Sequence, residues 1–211
     1  MNHFHKLFEN QLREIYHTEV LLEQTLPEVL KTVKNTHLKE VLLNHYREIK
    51  DEINRLHKIS NEWRSLTGHS LHGPQGGHEK TSLFPGITSE GYDHSEGRTA
   101  DSKHTYSDRS FFTGGGSHAL KGFIQDLKEM AHQGYQGEAH DVAVIALMQR
   151  VEHQEIVLYG TLKALARHLN YKEIAKLLHE SSKEEGRADK RLTEIAEDMM
   201  REAASLKRRA S

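Results

Sequence analysis

Residues 144–165 read VIALMQRVEHQEIVLYGTLKAL. Apolar side chains recur there at three- and four-residue steps, through Val144, Ile145, Met148, Val151, Leu158, Tyr159, Leu162 and Leu165. That spacing marks one face of a helix. Two glutamates break into the stripe. Glu152 lies seven residues after Ile145 and seven before Tyr159, and Glu155 lies seven after Met148 and seven before Leu162. Seven residues are about two turns, so both carboxylates point where their apolar neighbours point.

The same interruption recurs elsewhere. Segment 3–33 carries Phe8, Leu12, Ile15, Leu22, Leu26, Leu30 and Val33 on one face, and Glu19 falls seven residues from both Leu12 and Leu26. Pro27 should bend this helix. Segment 37–64 carries Leu38, Val41, Leu42, Ile49, Leu56 and Ile59. His45 and Glu52 lie on its Leu38–Ile59 heptad line, and Glu48 is seven after Val41. Segment 171–205 carries Ile174, Leu178, Leu192, Ile195 and Met199, with Glu185 midway between Leu178 and Leu192.

The connections set how these helices pair. Lys34, Asn35 and Thr36 break the first two, with Asn35 as a stop and Thr36 as the N-cap of the next helix. Asn170 separates 138–168 from 171–205. Both links are short, so each pair is expected to form an antiparallel hairpin. Ser117 can cap a shorter helix containing Leu120, Phe123, Ile124, Leu127 and Met130. No strand pattern competes, and the fold class is all-α: a four-helix bundle with one additional short helix. Ten of the 15 glycines and two of the three prolines fall between Gly68 and Gly116, together with His69, His72, His78, His94 and His104. The organisation is therefore a first hairpin over 1–65, a flexible Gly/His/Ser-rich insertion over 66–116, and a short helix plus second hairpin over 117–211. Histidines of the insertion could capture transition metals as an accessory role; a solvated linker is the simpler account.

The carboxylates also agree in height. Glu19 is 16 residues before Asn35, with Glu48 13 and Glu52 17 residues after it; Glu152 is 18 before Asn170 and Glu185 15 after it. At ~1.5 Å per residue the members of each hairpin lie within about one turn of each other. A single Glu on such a stripe commonly reaches solvent at its edge, and Glu48 is nearest the edge. Six that converge have no inexpensive explanation without a cation, because an unpaired buried carboxylate costs several kcal/mol. Glutamates on facing helices that hold two ions are the layout of a dimetal carboxylate site. His45 is either a further ligand or a hydrogen-bonded neighbour. Tyr16 and Tyr159 lie near the same level, where core packing or a hydrogen-bonding role are the two accounts. His153 points about 100° away from Glu152, and Asp189 is one turn after Glu185.

Composition narrows the function further. There is no Cys among the 211 residues, which excludes disulfides and thiolate chemistry. Net charge is −2, giving no electrostatic case for nucleic acid. No apolar run nears the ~20 residues of a membrane span. Met1 to His5 lacks the layout of a secretory signal, so the cytoplasm is the expected compartment.

The residues around these glutamates resemble the YciE/YciF family of ferritin-like, rubrerythrin-like stress proteins. The resemblance runs through Ile15-Tyr16-His17-Thr18-Glu19, His45-Tyr46-Arg47-Glu48 with Arg55-Leu56, Val151-Glu152-His153-Gln154-Glu155-Ile156 with Tyr159-Gly160-Thr161-Leu162, and Glu184-Glu185 with Ala188-Asp189 and Leu192-Thr193. It covers about 5–62 and 117–197. It implies a ferritin-like bundle, a homodimer, and a centre of two Fe or Mn ions. Carried over by position, the ligands are Glu19, Glu48, Glu152, Glu155 and Glu185; Glu52 joins them from its place on the stripe. Neither segment 37–64 nor segment 171–205 shows the Glu-x-x-His of well-studied di-iron bundles, since Glu48 is followed three residues on by Asp51 and Glu185 by Ala188. Such an oxygen-rich donor set suits Mn, Fe(II), Mg or Ca better than Zn or Cu. Two functions remain open: a redox metalloprotein acting on peroxide or dioxygen in ferroxidase-, peroxidase- or catalase-like stress protection, or a non-catalytic stress-induced dimer or scaffold in which metal is structural or absent.

Overall fold

A computed structural model describes residues 3–68, 117–130 and 135–210. Five helices account for nearly all of them: α1 (His3–Thr32), α2 (Thr36–Thr67), α3 (His118–Met130), α4 (Glu138–His168) and α5 (Lys172–Ala210). No strand occurs among the described residues. Most of the 66–116 insertion, including His69, His72, His78, His94 and His104, lies outside them.

Local chemistry sets the boundaries. Pro27 lies inside α1, which continues to Thr32. Asn35, rather than the expected Thr36, caps α2: its backbone is extended and its side chain accepts from the Leu38 amide at 3.0 Å. An Asn oxygen satisfies one of the free amides of a first turn. Gly68 ends α2 in the left-handed region, with φ 66°. Asn170 adopts φ 64° after α4. The Tyr171 amide there bonds Ala166 O at 2.8 Å and the Asn170 amide bonds Arg167 O at 3.1 Å. This pair of bonds is a Schellman turn, and Asn is the side-chain-bearing residue that tolerates its left-handed position.

The four long helices form a ring in the order α1, α2, α5, α4, with α3 packed on α1 and α4. Contacts at the two ends fix the directions. At one end Phe4 meets His168, His5 meets Tyr171, and Trp63 packs between Phe8 and Tyr171. At the other, the Lys34 and Asn35 amides donate to the Asp141 carboxylate, the shortest of these bonds being 2.6 Å. Each of the four long helices is therefore antiparallel to both ring neighbours, and α2 ends at the opposite end of the bundle from where α4 begins. One long crossover is the connectivity of ferritin-like bundles.

Leu12, Ile15, Leu22, Leu26, Leu38, Leu42, Ile49, Leu56, Met148, Val151, Leu162, Ile174, Leu178 and Leu192 fill the interior, each at most 1% exposed. These are the stripe residues of the four segments, so hydrophobic burial drives the assembly. No helix among the described residues is long and apolar enough to cross a membrane.

Candidate metal centre

Halfway along the bundle the apolar filling gives way to carboxylates. Glu19 of α1, Glu52 of α2, Glu152 and Glu155 of α4, and Glu185 of α5 are each no more than 1% exposed. They meet because the antiparallel ring brings mid-helix positions to one level. Their donor atoms fall into two groups. His45, Glu152, Glu155 and Glu185 each offer one atom, all within 4.8 Å of one another; Glu19, Glu52 and Glu185 do the same. Glu185 belongs to both.

The electrostatics are those of groups short of positive charge. Burial, then the charge of Glu185, raises the Glu19 carboxyl well above the usual glutamate range. Burial, Glu185 and Glu19 do the same to Glu52. Burial leads again for Glu152, followed by Glu185, and for Glu155, followed by Glu19, Glu185 and Glu152. One oxygen of Glu19, both oxygens of Glu52, Glu152, Glu155 and Glu185, and both ring nitrogens of His45 have no hydrogen-bond partner among the described residues. His45 Nε2 is 3.1 Å from Glu152 Oε1, within ion-pair range but out of line for a hydrogen bond. Buried polar atoms in folded proteins are rarely left so. Orphaned oxygens converging from four helices, with one imidazole, fit divalent cations: the ions supply the missing charge and the lone pairs already face inward.

The remaining residues singled out in the sequence surround these groups. The Tyr159 hydroxyl, fully buried, donates to Glu19 Oε1 at 2.8 Å. It thus combines core packing with a hydrogen-bonding role, and burial followed by the Glu19 charge pushes its own pKa well up. Tyr16 is only half-buried and lies edge-on to His57. His153 is exposed, 3.7 Å from Asp189, and Asp189 accepts from Gln149. Arg55 of α2 reaches across to α5, donating to Ser181 at 2.7 Å and Glu184 at 2.8 Å.

Glu48 stands apart. Its side chain is 27% exposed and belongs to neither donor group. It lies 3.9 Å from His45 Nδ1 and 3.7 Å from Arg191 of α5. The nearby His45 imidazole is the main influence lowering its carboxyl pKa, opposed by burial and helped by Arg191.

The sequence offered little warning of Asp141. It is 1% exposed and ties α4 to the α1–α2 turn, with the His140 ring 3.2 Å away. Its partners are more than a hundred residues distant. The one local signal, an acidic residue in the first turn of a helix, is common to many helices.

A family model described as "Domain of unknown function (DUF892)" matches residues 3–68 and 113–205. Protein YciF of Escherichia coli (strain K12) is 44% identical over 78 residues, which are 37% of this chain and 47% of that protein. The aligned region thus spans about half the length of that relative. The crystal structure of the E. coli stress protein YciF superposes with a TM-score of 0.69 at 24% identity, over 95% of this chain and 99% of that one. YcfI from Rhodopseudomonas palustris gives a TM-score of 0.65 at 23% identity, over 91% of this chain and 94% of that one. At these identities the two structures speak to the fold.

Proposed function

The chain belongs to the DUF892 family, and on that premise we propose that it is a ferritin-like dimetal-carboxylate protein that binds two Fe or Mn ions and serves stress protection through peroxide or dioxygen chemistry. The observation that carries this is the pair of buried donor groups joined through Glu185, their oxygens unpartnered among the described residues. His45, Glu152, Glu155 and Glu185 would hold one ion, and Glu19, Glu52 and Glu185 the other. Carboxylates favour Mn and the single imidazole suits Fe, the two ions at the weak-binding start of the divalent series. A bound pair of such ions would give up one electron each, together reducing peroxide to water with the uptake of two protons.

The protein's own groups do the rest. The surrounding leucines and isoleucines exclude bulk water, which strengthens every charge interaction inside. Tyr159 orients Glu19 through its hydroxyl. Burial and neighbouring charges raise the pKa values of Glu19, Glu52, Glu152 and Glu155, so protons compete with cations for these oxygens. The E. coli relative's description as a stress protein agrees with a protective role.

Anaerobic loading with Fe(II) or Mn(II), followed by desalting and metal analysis, is expected to leave two ions per chain. Peroxide consumption by the loaded wild type is expected to exceed that of Glu152→Ala, with folding of both checked by circular dichroism. Substoichiometric metal after loading defeats the dimetal reading. Full loading with equal, negligible turnover in both proteins points instead to a helical scaffold stabilised by metal.

A further inference from the structure

The sequence resemblance places Glu48 among the ligands, yet its carboxylate lies outside both donor groups. We propose that Glu48 is a positioning residue: it holds the proton of His45 on Nδ1, so that the Nε2 lone pair faces the metal pair, with Arg191 anchoring Glu48 from α5. This role rests on the dimetal reading.

His45 is 3% exposed, and its two ring nitrogens look in different directions. Nε2 is 3.1 Å from Glu152 Oε1, inside the centre. Nδ1 is 3.9 Å from Glu48 Oε2, toward the surface. A neutral imidazole carries one N–H and one lone pair, and only the lone pair binds metal. Two carboxylates therefore compete for one proton. If Glu152 wins, Nε2 is protonated and His45 is lost as a ligand. If Glu48 wins, Nε2 is free and points inward. A carboxylate behind a ligating histidine sets the tautomer in this way in many metal sites.

Glu48 is suited to hold its place. Its other oxygen, Oε1, is 3.7 Å from the Arg191 guanidinium, so α2 and α5 fix it together. The 3.9 Å separation from Nδ1 exceeds a hydrogen bond. Ligation at Nε2 would make Nδ1–H a stronger donor toward Glu48. The second donor group, Glu19, Glu52 and Glu185, contains no imidazole and does not depend on this relay.

The test is Mn(II) titration by calorimetry of the full chain, with electron paramagnetic resonance separating spin-coupled pairs from isolated ions. Wild type is expected to bind two ions and show a coupled pair. Glu48→Ala should weaken one of the two affinities about 10–100-fold, leave the other unchanged, and show an isolated ion where wild type shows the pair. Glu48→Gln, whose amide oxygen accepts the same N–H, should recover most of that loss. Equal damage in Glu48→Gln and Glu48→Ala overturns the proposal in favour of direct ligation by the carboxylate. Unchanged affinities in Glu48→Ala overturn any role for it. A wild type that binds no Mn(II) or Fe(II) at all removes the dimetal reading and this role with it, a result that no Glu48 variant is needed to obtain.

Discussion

Replacing Glu185 by leucine should raise the stability of the metal-free protein and remove most of its response to metal. Glu185 is 1% exposed, with both carboxylate oxygens unpartnered among the described residues. Its neighbours seven residues away, Leu178 and Leu192, are buried on the same stripe, so leucine continues the packing. The substitution exchanges an unpaired buried carboxylate for an apolar side chain, a gain on the order of 2 kcal/mol. It also removes a charge that, after burial, raises the Glu19 and Glu152 carboxyls. For a chain of this size 1 kcal/mol moves the melting midpoint by roughly 2–4 °C, so the metal-free variant should melt about 4–8 °C above wild type. Metal reverses the order. A ligand present at a hundred times its dissociation constant stabilises by about 2.7 kcal/mol per site, so two filled sites should raise the wild-type midpoint by about 10–20 °C. Because Glu185 serves both groups, Glu185→Leu should lose most of that rise at once. Thermal melts by circular dichroism, with a chelator and with excess Mn(II), read both effects. A metal-free variant that melts below wild type would refute the reasoning, because it would mean that the carboxylate is satisfied within the protein. So would a variant that keeps the full metal-induced rise.

Two further outcomes follow from the same physics. Burial, reinforced by neighbouring charges, holds Glu19, Glu52, Glu152 and Glu155 above the ordinary glutamate value of 4.5, so the folded metal-free protein keeps protons that the unfolded chain releases. Their stabilisation is complete below about pH 4.5 and is lost as pH rises through the higher folded values. Melting midpoints of the metal-free protein should therefore fall as pH rises above the ordinary glutamate value of 4.5, and the metal-induced rise should grow in the same direction as protons cease to compete; a metal-free midpoint that climbs counts against the buried-carboxylate account. Asp141→Ala strands the Lys34 and Asn35 amides at the α1–α2 turn. Urea unfolding should show a loss of about 3 kcal/mol, the usual scale for bonds to a charged acceptor, and a loss under 1 kcal/mol would mean that water replaces the carboxylate.

Much of this protein is written in local pattern. Helical period, the Asn35 and Asn170 breaks, and charge at positions 19, 52, 152, 155 and 185 of otherwise apolar faces need only their near neighbours to be read. A residue seven places from two leucines shares their direction whatever the helix packs against. For that reason the all-helical architecture and the inward pointing of five glutamates were legible before any coordinates. Glu48 shows where this fails. It is seven residues from Val41, but Val41 is itself only half-buried, whereas Leu38, His45, Glu52 and Ile59 form the line that faces the centre. Both lines carry apolar residues, and only the rotation of α2 against α4 and α5 chooses between them. The same holds for His45, whose two nitrogens meet Glu152 on one helix and Glu48 on its own, for Tyr159 on Glu19, and for Asp141 under a turn more than a hundred residues away. Direction along a helix is a property of the chain; which partner lies in that direction depends on the register of helices brought together by burial, and that is decided only when all four pack at once.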